Sequence, residues 1–157
     1  MEEVPTFKKN FDEVLLVASI LKRLNAGNLT SLNERIKTQK MQYLAQIFNV
    51  TPIYPFNLYI HGPYSPELAS DLFYLKNRNA HIKTQKFASD ELENTFFELS
   101  KFVNNKTTRE LELIATFHWL QKKACLSLKE IEAKLKYLKG ATHDEIERTD
   151  KFVSDLP

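Results

Sequence analysis

Glycine, cysteine and long apolar runs are all scarce in this chain, and each shortage removes a class of protein. Three glycines in 157 residues leave few left-handed turn positions for the repeated tight hairpins of an all-β sandwich or barrel. A single cysteine, Cys125, forms no internal disulfide, so the sequence points to a reducing cytoplasm rather than a stapled secreted fold. The four histidines, at positions 61, 81, 118 and 143, lack ligand spacing, and neither a structural zinc nor any other cofactor is expected. The first apolar stretch, residues 14–21, is too short to cross a bilayer, and Glu2 and Glu3 ahead of it are wrong for a signal peptide. The chain therefore reads as mature, soluble protein without a membrane partner. A formal net charge of +2 makes no electrostatic case for nucleic acid by itself.

What is present is an ordinary globular composition, 43% hydrophobic and 27% charged, in a length suited to a single domain. Such a domain buries roughly two-thirds of the surface its unfolded chain exposes. The pattern predicts a mainly α fold of about seven helices with a small two-stranded β-sheet. Residues 1–105 read as a winged-helix-like core and residues 106–157 as a C-terminal helical part.

The first helix is expected from Asn10 or Asp12 to Asn25, ended by Ala26, Gly27 and Asn28, and its middle is apolar nearly all round. Ser31-Leu-Asn-Glu34 announces a second helix through a capping box, reaching about Phe48. Its apolar face is Met41, Leu44, Ala45 and Phe48, with Arg35, Thr38, Gln39, Gln42 and Gln46 on the polar remainder. Pro52 and Pro55 then forbid helix, and Phe56, Leu58 and Ile60 alternate with polar or amphipathic neighbours in the period of a strand. Gly62-Pro63 breaks that strand. Ser65 is placed to cap a helix whose first position is Pro66 and whose buried residues are Leu68, Leu72 and Leu75. Residues 81–87 carry no helix signal and are expected to pair with the first strand.

Further caps stand at Ser89 or Asp90, at Thr107 or Thr108, at Ser127 and at Thr142, the last two in full capping boxes with Glu130 and Glu145. The apolar faces behind them are Leu92, Phe96, Leu99 and Val103; Leu113, Phe117 and Leu120; Leu128, Ile131, Leu135 and Leu138; and Ile146, Thr149, Phe152 and Val153. The last two helices are too short for a core of their own.

The run Phe56-Asn-Leu-Tyr-Ile-His-Gly-Pro-Tyr-Ser-Pro-Glu-Leu68 holds the residues from which chemistry would have to be built: His61, Tyr64, Ser65 and, beyond it, Asp71. A serine near a histidine suggests a hydrolase, and an enzyme using His61, Tyr64 or Ser65 is one reading. A nucleophile elbow, however, needs small residues two places either side of the serine, where Pro63 and Glu67 stand. Each residue also has a local structural task, Ser65 as a cap and His61 at a strand end. No catalytic residue is assigned. Cys125 follows a helix containing His118, but seven residues do not bring two side chains together on one helix, and a structural cysteine in an apolar helix end is expected.

The stretch from Lys76 to Lys86 carries Lys76, Arg78, Lys83 and Lys86 with no acid between Leu72 and Ser89. If residues 82–87 formed a wing behind the helix at 66–76, these four would be DNA contacts, although Glu67 and Asp71 on that helix oppose phosphate. The tyrosines beside the Gly-Pro turn suit a protein interface, which would consist of Tyr59, His61, Tyr64 and Ser65.

Two segments, Lys37-Thr-Gln-Lys-Met41-Gln-Tyr-Leu44 and Leu58-Tyr-Ile-His-Gly-Pro-Tyr-Ser-Pro-Glu-Leu68-Ala-Ser-Asp71-Leu72, together resemble the YwgA-like prokaryotic proteins, and more distantly the SocA-like or Panacea antitoxin domain. The likeness covers residues 31–75, and residues 112–156 are similar to the YwgA-type tail more loosely. Thr38 and Met41 depart from the leucines usual in the antitoxin pattern. The resemblance implies a mostly helical, non-enzymatic protein that binds another macromolecule, regulating or neutralising a protein partner in a toxin–antitoxin or phage-defence setting. A DNA-binding regulator is the alternative.

Overall fold

A computed structural model describes residues 9–157; the expectation drawn from Glu2 and Glu3 lies outside them. The fold is mainly α, with seven helices and one two-stranded antiparallel sheet among the described residues. In chain order these are α1 (Phe11–Arg23), α2 (Leu32–Ile47), the hairpin β1 (Asn57–Tyr59) and β2 (Gly62–Tyr64), α3 (Pro66–Asn77), α4 (Asp90–Val103), α5 (Thr108–Lys122), α6 (Leu128–Lys139) and α7 (His143–Ser154). Every helix begins at an N-cap side chain that accepts a hydrogen bond from the backbone three residues on, which is why the boundaries follow the sequence signals closely. The reciprocal capping boxes are those of Thr107 with Glu110 and Thr142 with Glu145. Ser127 caps its helix, but Glu130 turns to the serine hydroxyl instead of reaching the cap backbone.

Among the described residues one core runs from Val14 in α1 to Val153 in α7. Its centre is the α2–α5 pair, and α5 also carries α6, α7 and the hairpin strand β2. Both central helices are buried over most of their circumference, α2 from Thr38 to Ala45 and α5 from Leu113 to Phe117. Thr38, Gln39 and Gln42, expected on a polar face, are therefore interior residues. They are retained there because each has a hydrogen-bond partner, as buried polar groups must.

Two sheet expectations change. The partner of β1 is Gly62–Tyr64, with Leu58 opposite Pro63, so the Gly-Pro pair does not end the sheet but begins its second strand. Gly62 takes φ +88°, which lets the chain reverse immediately after Ile60 and His61. Residues 81–87 form no strand. They lie across the C-terminal end of α1, where Lys22 donates to the Ile82 carbonyl and Arg23 to that of Gln85, and Arg23 also pairs with Glu93 of α4. With backbone groups engaged by side chains rather than by β1, this stretch had no ladder to join.

Some apolar positions also face outward: Leu92, Leu128 and Leu138 are exposed, whereas Phe96, Ile131 and Leu135 of the same stripes are buried. Among the described residues no helix is long and apolar enough to cross a membrane.

Candidate functional site

The hairpin is held from below by side chains of α2. Gln39, Gln42 and Gln46 recur at intervals of three and four, so they share one helix face. Gln39 grips Ser65 twice, donating to its carbonyl at 3.0 Å and accepting from its N–H at 2.9 Å. Gln42 donates to the Pro52 carbonyl at 2.9 Å, and Gln46 both donates to and accepts from the Tyr54 backbone. Lys40, buried to 1% exposure, donates to the Pro63 carbonyl at 2.7 Å. The two stretches on which the family resemblance rests are thus bonded to each other, side chain to backbone.

Beneath the turn lies a charged cluster. Lys139 of α6 reaches the Ile60 carbonyl and pairs with Glu112 of α5 at 2.7 Å. Burial pulls the Lys40 ammonium down to about 8 against the attraction of Glu112, and Lys139 adds repulsion. Gly62 sits directly on this layer: a Cβ there would stand 2.5 Å from Thr116 Oγ1 and 3.3 Å from Lys40 Cε.

The residues singled out in the sequence separate into two groups. Ser65 is fully buried, so it does not belong to an interaction surface; its hydroxyl accepts from Leu68 N–H as the cap of α3. Asp71 is likewise interior and accepts from Tyr54 Oη at 2.7 Å, with burial raising its carboxyl pKa against that hydrogen bond. His61 and Tyr64, by contrast, line one groove, and Tyr59 packs edge-on against Tyr64 with ring centres 5.4 Å apart. His118 pairs with Tyr43, Oη to Nδ1 at 2.8 Å, and burial followed by Lys122 and Lys123 lowers its pKa to about 4. Cys125 is exposed in the turn after α5, not seated in an apolar helix end.

The groove is about 570 Å³ and lies between α2 and α3. Leu29, Leu32 and Ile36 form one wall, and Ala69, Leu72 and Phe73 the other; Gln39 and Lys40 lie at its floor and Arg35, His61, Tyr64 and Lys76 also line it. Leu32 and Phe73 leave 53% and 56% of their surface exposed. A second groove of about 410 Å³, between α1, the end of α3 and the segment at 80–82, shares Leu29, Leu72 and Lys76 with the first. The two grooves adjoin along α3 and are together called the trough. Its basic side chains are Lys22, Arg35, Lys40 and Lys76, His61 and His81 also line it, and among the described residues no acid lines either part.

Of the four basic residues expected to touch DNA, only Lys76 lines the trough. Arg78 caps the end of α3 and lies over the Tyr74 ring at 4.3 Å, and Lys83 and Lys86 are exposed on the segment crossing α1. Sequence reading passed over Leu32, Ile36 and Phe73. The signal was there: Leu32 and Ile36 are spaced i, i+4 off the buried face of α2, and Phe73 falls outside the 68–72–75 stripe of α3. Among the described residues no cluster of three or more His, Cys, Asp or Glu side chains is arranged to hold a metal. No family model matches the chain, and neither a curated protein nor a solved structure matches it significantly.

Proposed function

We propose that this protein is a non-enzymatic binding module that takes a segment of a protein partner into the groove between α2 and α3, and thereby regulates or neutralises that partner. The observation that carries the reading is the pair of walls at Leu32 and Phe73, large apolar side chains left more than half exposed on either side of an apolar trough. Contiguous exposed apolar surface rimmed by polar groups marks an interaction site. The first groove adjoins a second one at Leu29, Leu72 and Lys76, so an extended segment can run from one into the other. The enzyme reading loses support because the Ser65 hydroxyl and the Asp71 carboxylate both serve the scaffold. Likeness to the YwgA-like and SocA-like proteins, with a cytoplasmic toxin–antitoxin or phage-defence role, is compatible with such a module.

A photoreactive residue in place of Phe73 tests this in the native host. The expected product is a covalent adduct with one defined peptide of a partner, which then binds the purified protein and does so at least about tenfold more weakly after Leu32→Asp. Crosslinks spread over many unrelated proteins, or a binding partner indifferent to Leu32→Asp, would remove the proposal.

A further inference from the structure

Resting on that reading, we infer that the segment received by the trough is an acidic amphipathic one, with its apolar side chains between Leu32 and Phe73 and its carboxylates against Arg35, Lys76 and Lys22. The argument is charge complementarity over a continuous surface. The two grooves meet at Leu29, Leu72 and Lys76, and among the described residues lining them there are lysines, an arginine and histidines but no Asp or Glu. This is a local departure from a chain with 22 basic and 20 acidic residues. Acids of the neighbouring helix α3 do not offset it: Asp71 is turned inward to Tyr54, and Glu67 lines neither groove.

The apolar content decides between partners. A nucleic-acid surface is built on cations that meet a regular row of phosphates, whereas here the cations flank side chains of Leu29, Leu32, Ile36 and Phe73. A partner must therefore bring apolar groups and carboxylates together, as an amphipathic helix does when its apolar stripe enters a groove and its flanks carry acids. The length is suitable. Ala69 to Lys76 covers eight residues of α3, about 10 Å of helix axis at about 1.5 Å rise per residue, and the second groove extends the trough toward the segment at 80–82 beyond the helix end.

Three synthetic helical peptides with the same leucine stripe distinguish the possibilities, flanked by glutamate, by lysine or by glutamine. Fluorescence anisotropy against the full chain is expected to rank the glutamate peptide first, at least about tenfold tighter than the lysine peptide. Arg35→Glu combined with Lys76→Glu, both exposed positions, is expected to reverse that order while circular dichroism stays unchanged. Equal binding of all three peptides, lost with Leu32→Asp, would overturn the acidic preference and leave the groove reading intact. Binding of none, together with no crosslink from position 73, would sink both. Displacement of the glutamate peptide by duplex DNA, with the same sensitivity to the charge reversal, would overturn the inference in favour of a nucleic-acid surface.

Discussion

At the scale of single residues the fold depends on polar side chains placed where water is excluded. Among the described residues no buried side-chain nitrogen or oxygen lacks a partner, so the cost of taking Gln39, Lys40 and Gln42 out of water is offset by bonds to backbone that would otherwise be orphaned. His118 is the residue at which this has a measurable pH signature. In the unfolded chain its imidazole takes a proton near 6.5, but in the folded protein only near 4, because burial disfavours the cation. Between those values the unfolded state binds more protons, so stability falls as the pH falls. His118→Gln keeps a group able to hydrogen-bond Tyr43 and does not titrate. Denaturant unfolding at pH 7.5 and 4.5 is expected to show wild type losing about 1–2 kcal/mol relative to the variant, after allowance for the partial exposure of the ring. A constant difference between the two proteins would mean that the imidazole is protonated as readily in the folded protein as in solution.

At the scale of elements, the hairpin is coupled to α5 through the missing side chain of Gly62. Gly62→Ala adds a methyl 2.5 Å from Thr116 Oγ1 at a φ of +88°, and the two penalties together are expected to cost about 2–4 kcal/mol. Thr116→Ala removes the contacted oxygen, which otherwise donates to the Glu112 carbonyl within its own helix. The double variant is therefore expected to be more stable than the sum of the singles by about 1–2 kcal/mol, with the residue of the loss due to backbone strain. Strict additivity would show that the hairpin does not press on Thr116. The same element shows where sequence reading works and where it stops. All seven helices were legible because caps such as Ser31, Ser65 and Thr142 are local devices, read from residues three apart. The second strand was not legible, since Gly62-Pro63 carries the residue types of a break and becomes a strand only because Asn57 and Tyr64 meet across a turn. Nor did the polar period of α2 reveal burial: Gln39 and Gln42 look like solvent-facing residues until the 52–65 segment is folded over them. For the trough, the charges of Lys76 and the aromatic Tyr64 were visible in sequence, but its walls come from Leu32 and Phe73 on separate helices, whose proximity is a tertiary fact.

At the scale of the molecule the question is whether the C-terminal helices merely cover α5 or help to shape the site. The link is Lys139, the last residue of α6, which holds the Ile60 carbonyl at the hairpin tip and the Glu112 carboxylate on α5. Side-chain exposures of 5% and 13% place this pair in the interior, where removing one partner leaves an uncompensated charge and is expected to cost about 2–4 kcal/mol. Lys139→Met should do more than lower stability. With the tether to Ile60 gone, amides of Tyr59 and Tyr64 are expected to exchange hydrogen faster by local opening, while amides in α1, remote in the chain, slow or hasten only with global stability. The repulsion that Lys139 exerts on Lys40 also disappears, so the Lys40 ammonium should titrate higher than in wild type. Native-state hydrogen exchange measured across denaturant separates these effects, because local opening is insensitive to denaturant and global opening is not. If the hairpin amides in the variant merge with the global unfolding isotherm as they do in α1, then α6 contributes burial alone. If they depart from it, the C-terminal helices position the turn that carries His61 and Tyr64, and the trough depends on the whole chain.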